Sequence, residues 1–121
     1  MDNKEFSKQL ENRTKTFAIA AIKLSISLPN TPEGKVIKNQ ITRSGTSIGA
    51  NYREANRSRS KADFINKINI CASEANETSY WTEIISELNW SDKQSVLSIL
   101  NESNELLAIF TSIGNKLKLN K

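Results

Sequence analysis

With 121 residues the chain has the size of one hydrophobic core and too few for two, and only 37% of those residues are apolar, so they must be laid out economically. No stretch nears the ~18 apolar residues of a membrane span, the start Met1-Asp2-Asn3-Lys4-Glu5 lacks a signal peptide's apolar run, and the lone Cys71 cannot close an internal disulfide, which predicts a cytoplasmic chain with no membrane partner. Net charge is +4 and uneven, being +1 over residues 1–34, +6 over 35–67 and −3 over 68–121, an asymmetry that points to a polyanionic partner.

Prolines occur only at 29 and 32 and glycines only at 34, 45, 49 and 114, so the elements must be read from periodicity. Phe6, Leu10, Phe17, Ala21, Leu24 and Leu28 recur at helical steps and fall in one arc. Leu28-Pro29-Asn30-Thr31-Pro32 ends that helix, with Thr31 set to cap the next and Pro32 at its first position, where a missing N–H costs nothing. The second helix carries Ile37, Ile41, Ser44, Ile48 and Ala55 on one side and loses its period at Arg57-Ser58-Arg59-Ser60. Ser60, followed by Asp63, reads as the next N-cap. The third helix shows Phe64, Ile68, Cys71 and Ala75 on one face. The fourth is expected to start at Ser91, with Gln94 completing a capping box, and to run through Val96, Leu100, Leu107, Phe110 and Leu117. No alternating strand pattern occurs. The reading is an all-α, antiparallel up-down-up-down four-helix bundle in one domain over 1–121, with helices over about 5–28, 32–57, 61–89 and 92–118.

Three helices carry more apolar surface than one bundle face requires. Ile19, Ile22 and Ile26 lie roughly 160–220° around the first helix from Phe6. Ile70, Trp81, Ile84 and Leu88 lie well around the third, and Ile99, Leu106, Ile109 and Ile113 flank the main stripe of the fourth. Scattered surface isoleucines would be ordinary. Opposed stripes on four helices instead predict a second buried surface, hence self-association in a closed symmetric form, with Ile19, Ile22, Ile26, Ile70, Trp81 and Leu88 at the subunit interface.

Chemistry-bearing patterns are few. Gly45-Thr46-Ser47-Ile48-Gly49 matches the G-x-S-x-G of hydrolase nucleophile elbows, but the chain has no histidine and no strand to lead into the turn. Its small residues read better as a place of close helix approach. The carboxylate pairs Glu74/Glu77, Glu83/Glu87 and Glu102/Glu105 lack the histidines of a di-iron bundle and read as solvated faces. Cys71 reads as a small core residue, and no phosphate-cradling glycine loop is present. No catalytic residue, metal site or cofactor is expected, and the chain reads as a non-enzyme.

The basic segment remains. Lys35, Lys38, Arg43, Arg53 and Arg57 fall within an arc of roughly 140° on the second helix, opposite Ile37, Ile41 and Ile48, and Arg59, Lys61 and Lys67 carry the charge across the turn. An ordinary solvated face is the bland alternative. If several copies bring this face together, a phosphate backbone is the natural counter-charge, bound electrostatically and with little sequence preference, since only Tyr52 and Phe64 flank it.

The stretch Gln40-Ile41-Thr42-Arg43-Ser44-Gly45-Thr46-Ser47-Ile48-Gly49-Ala50-Asn51-Tyr52-Arg53-Glu54-Ala55 resembles the signature of the bacterial four helix bundle protein family, also described as the protein encoded by intervening sequences in 23S ribosomal RNA genes. The matching positions are Arg43, Ser44, Ser47, Ile48, Ala50, Asn51 and Glu54. Lys61 to Ile65, Ala72 to Ala75 and Glu77-Thr78 look like that family's third helix. The resemblance implies a homopentameric barrel of four-helix protomers with a positively charged surface or channel. Members have been labelled ribosomal-protein-like, and a related branch serves as accessory factor of diversity-generating retroelements, binding nucleic acid and a reverse transcriptase. The expected partners are therefore RNA or DNA, further copies of the chain, and a nucleic-acid enzyme.

Overall fold

The computed structural model describes residues 1–119 and contains four helices: α1 (Asn3–Ile26), α2 (Pro32–Ala55), α3 (Lys61–Leu88) and α4 (Lys93–Leu119). Each begins on a side-chain cap that takes up an otherwise orphaned N–H. Asp2 accepts from Glu5 N at 2.8 Å, Thr31 from Gly34 N at 3.0 Å, Ser60 from Asp63 N at 3.1 Å and Asp92 from Ser95 N at 3.0 Å. The cap of α4 is thus Asp92, one residue beyond the expected Ser91, whose hydroxyl instead meets Ser27 Oγ at 2.7 Å. α3 stops where Asn89 turns left-handed (φ 54°, ψ 41°), with Asn89 N–H donating to Ser86 O and Trp90 N–H to Ile85 O.

Consecutive helices run antiparallel in the expected up-down-up-down bundle. α1 packs on α2, α2 on α3 and α3 on α4, whereas α1 and α4 touch only lightly. That seam is tied by Arg13, which holds Glu102 through two nitrogens at 2.7 Å each and reaches Glu105 at 2.9 Å. The core is built from Leu10, Phe17, Ala21 and Leu24 of α1, Ile41, Ile48 and Tyr52 of α2, Ile68, Cys71, Ala75 and Ile85 of α3, and Val96, Ile99, Leu106 and Phe110 of α4. Tyr52 and Phe110 meet edge to face at 5.4 Å across its centre.

Hydroxyls make up for the thin supply of apolar residues. Thr14, Ser44, Thr78, Ser79, Thr82 and Ser103 are buried. Thr14 and Thr82 donate to the carbonyls of Leu10 and Thr78, Thr78 lies 2.9 Å from Ser44 Oγ, and Ser79 meets Ser103 at 2.7 Å. Satisfied this way, small polar side chains sit inside the bundle without a desolvation penalty.

Three further details differ from the sequence reading. Phe6 belongs to the α1 stripe by spacing but is 42% exposed. On α4 the buried row is Val96, Ile99, Ser103, Leu106 and Phe110, while Leu100 and Leu107 are only half-buried. On α3, Ile70, Trp81 and Ile84 are half-buried rather than open. α3 lies between two neighbours and covers a wider arc of itself than α1 does.

Candidate nucleic-acid interface

The approach of α1 to α2 shapes the site. A Cβ at Gly45 would lie 2.6 Å from Ala21 Cβ, and one at Gly49 would lie 3.0 Å from Thr14 Oγ1. At Gly45 a side chain would push the two helices apart, and at Gly49 it would need Thr14 to give by a few tenths of an ångström. Ser47 lies mid-helix between them, its hydroxyl donating to Arg43 O at 2.6 Å, so the G-x-S-x-G spacing forms a helix contact and no nucleophile turn.

Antiparallel pairing then sets Lys15 and Glu11 of α1 beside the outer surface of α2, and the turn into α3 closes the far side. The result is an open cleft of about 780 Å³. Its low strip is Thr46, Gly49 and Ala50, and its walls bear Lys15, Arg53, Arg57, Arg59 and Lys67 with the carboxylates of Glu11, Glu54 and Asp63. Among the described residues, Lys15, Arg57 and Arg59 have no carboxylate within ion-pair distance. Arg53 Nε stands 3.6 Å from Glu11 and Lys67 Nζ 3.4 Å from Glu54, both longer than tight charge-assisted bonds.

Of the eight basic residues singled out in the sequence, the cleft therefore gathers Arg53, Arg57, Arg59 and Lys67. Lys35 and Lys38 sit on the same helix but well away, Lys38 being roughly 22 Å along the axis from Arg53. Lys61 is exposed at the start of α3, outside the cleft lining. Arg43 is engaged elsewhere: it donates to Glu74 at 2.9 Å and to Glu77, strapping α2 to α3. Its hydrogen bond to Glu77, with the charge of both glutamates, raises its pKa and holds the guanidinium protonated. Lys15 was missed because it belongs to a different helix, yet a signal existed. Gly45 and Gly49 mark the α1–α2 contact, and Lys15 follows Thr14, the residue Gly49 faces.

The apolar residues assigned to a subunit interface divide in two. Ile19, Ile22, Ile26 and Leu88 are open, at 48%, 40%, 72% and 49% exposure. Ile70 and Trp81 are half-buried, Trp81 packs against the core, and its indole N–H has no acceptor among the described residues. Cys71 is fully buried, donates to Ile48 O at 3.4 Å, and burial pushes its thiol up to about 12, which leaves it unreactive at neutral pH. Among the described residues no group of three or more Cys, Asp or Glu could hold a metal, and no helix is long and apolar enough to cross a membrane.

The profile of the 23S rRNA-intervening sequence protein family matches residues 7–112, which takes in α2 and α3, most of α1 and α4, and the whole cleft. The chain belongs to that family. Its likeness extends to a crystal structure of a protein of unknown function from the S23 ribosomal protein family of Bacteroides thetaiotaomicron VPI-5482. The two are 42% identical, with a TM-score of 0.79 over 86% of this chain and 96% of that one. No curated protein matches the sequence at a significant level. Family and relative carry no assigned function, and nothing in either points to enzymatic activity.

Proposed function

We propose that this chain is a non-enzymatic, oligomeric nucleic-acid-binding protein of the cytoplasm that holds RNA phosphates in the cleft between α1, α2 and the start of α3. One observation carries the reading: five cations, from α1, α2, the α2–α3 turn and α3, line one open cleft, and three of them have no carboxylate partner among the described residues. Lys15, Arg53, Arg57, Arg59 and Lys67 are the phosphate ligands, with Lys35, Lys38 and Lys61 extending the field. Arg43 acts as a structural strap. Among the described residues no aromatic ring lines the cleft, so recognition is of backbone charge, with little reading of base sequence. Copies associate through the open face of Ile19, Ile22 and Ile26, as a pentamer by analogy with the family. The family's connection with intervening sequences of 23S rRNA makes structured RNA the first ligand to try.

The test is a salt titration of the purified chain with a fluorescent RNA duplex. Affinity should fall linearly on a log–log plot as salt rises. Absence of binding at about 50 mM salt retires the proposal. Light scattering should show a particle several times 13.6 kDa, and a lone protomer at working concentration removes the oligomeric half of it.

A second reading is supported by Tyr80 and Leu97, which are 56% and 54% exposed on α3 and α4. Here the oligomer is an accessory factor that docks a nucleic-acid enzyme such as a reverse transcriptase. It requires that Arg53→Glu and Arg57→Glu leave RNA affinity unchanged while Tyr80→Ser or Leu97→Ser disturbs a protein pull-down.

A further inference from the structure

The carboxylates within the cleft work against the phosphate ligand, and their placement is specific. Glu11 is fixed: Asn56 Nδ2 donates to one of its oxygens at 2.9 Å, and the other stands 3.6 Å from Arg53 Nε. Its side chain is only 29% exposed, against 52% for Arg53. Across the cleft Glu54 Oε2 stands 3.4 Å from Lys67 Nζ. The third acid, Asp63, sits in the first turn of α3, where the helix's own N-terminal dipole offsets its charge. Glu11 and Glu54 have no such offset, and each faces a cation that a phosphate would need.

We propose that Glu11 and Glu54 are built-in counter-ions that occupy Arg53 and Lys67 in the free protein and are displaced by the sugar–phosphate backbone. This rests on the cleft being the nucleic-acid site. Both pairs are long, and Arg53 has five N–H donors of which a carboxylate at this distance satisfies few. They hold the cations in position without saturating them. Holding saves part of the cost of ordering two long side chains, but an incoming phosphate must displace each carboxylate and is repelled by it. Displacement and repulsion act together against binding, and they outweigh the saving. The consequence is a graded site. A backbone first engages Lys15, Arg57 and Arg59, which no carboxylate guards, and takes Arg53 and Lys67 only when neighbouring phosphates arrive with it. Such a site favours polymers with several adjacent phosphates over isolated phosphate groups.

The experiment uses the full chain and an RNA duplex of about 20 base pairs, long enough for several adjacent phosphates to contact one protein. Salt titrations are run on wild type, Glu11→Gln, Glu54→Gln, the double variant, and Glu87→Gln as a control for surface charge outside the cleft. Glutamine keeps an acceptor for Asn56, and helicity by circular dichroism confirms folding. Each cleft substitution should tighten binding by about two- to fivefold, the strength of an exposed ion pair. The log–log salt slope should stay unchanged in every variant, because the backbone displaces the carboxylates and reaches the same cations in wild type. Glu87→Gln should leave the affinity unchanged as well. Equal or weaker binding by the cleft variants, with wild type still binding, overturns this inference and leaves the proposed function standing. So does a Glu87→Gln effect as large as that of Glu11→Gln. No binding by wild type or by the double variant overturns the proposed function itself.

Discussion

Three arginines that look equivalent in the sequence have different fates in the structure, and this separates a binding role from a structural one. Arg57 and Arg59 face the cleft without a carboxylate partner among the described residues, while Arg43 is tied to Glu74 and Glu77. In Arg57→Gln/Arg59→Gln two phosphate contacts are lost and no protein ion pair is broken. The salt slope should therefore flatten by about 1.8, and affinity at ~0.1 M salt should drop by about eightfold per contact, near sixtyfold for both. Stability should stay within about 0.5 kcal/mol, since both side chains are on the surface. In Arg43→Gln the reverse holds. The strap is half exposed, so its loss costs about 0–1 kcal/mol after solvent screening, and the salt slope should not move. Fluorescence anisotropy across a salt series gives the first pair of quantities and urea denaturation the second. A flattened slope in Arg43→Gln, with an unchanged one in the double variant, would refute the assignment of phosphate contacts to the cleft.

Further outcomes follow from the packing. Gly45→Ala should destabilise by about 1–3 kcal/mol less whatever helix propensity returns, because its Cβ would meet Ala21 Cβ at 2.6 Å; adding Ala21→Gly should restore most of the loss, while Gly114→Ala, whose nearest neighbour is the exposed Asn69 side chain at 3.2 Å, should be neutral or stabilising in the same urea assay. Ile26→Asp should leave protomer stability within about 0.5 kcal/mol, the residue being 72% exposed, yet reduce the particle mass seen by light scattering. Asp92 has its pKa lowered from 3.8, first by its side-chain bond with Ser95, so its cap contributes above 3.8 and fades as pH falls through the lower folded value. Amide exchange at the start of α4 should quicken over that acid range in wild type and show no such step in Asp92→Asn.

What the sequence made legible depended on whether a signal was local. Thr31-Pro32 and Ser60 mark helix starts through bonds within one turn, and both stand where expected. Ser91 and Asp92 are adjacent residues of capping type, and spacing alone does not choose between them. The buried row of α4 was obscured by Ser103, which reads as polar and breaks the apolar period; only its pairing with Ser79 on α3 makes that row the inner one. Phe6 sits in the first turn of α1, before Glu11, which already lies opposite Arg53 near the end of α2. Little of α2 remains to cover it, and no spacing rule reports where a partner helix stops. For the site, the basic segment gave four of the five cleft cations, and the fifth required knowing which helix lies beside which. Whether a cation is open or already paired, the difference between Arg57 and Arg43, is a tertiary fact throughout.

The two halves of the proposed function meet on α1. Its inner side, through Thr14 and Ala21, docks on Gly49 and Gly45 and so sets Lys15 at the cleft. Ile22 lies seven residues after Lys15, two helical turns on and at nearly the same angle. The isoleucine face is therefore a continuation of the cleft's α1 wall, and copies that join along Ile19, Ile22 and Ile26 carry their clefts at the subunit boundary. Phosphate ligands of neighbouring protomers then fall along one surface, and a single RNA can engage several of them at a high effective concentration. On this geometry Ile26→Asp, although far from every cation, should weaken RNA binding and flatten its salt slope in step with the loss of particle mass. An isoleucine variant that scatters as a protomer but binds RNA with the wild-type slope would show that one cleft suffices, and would separate assembly from recognition.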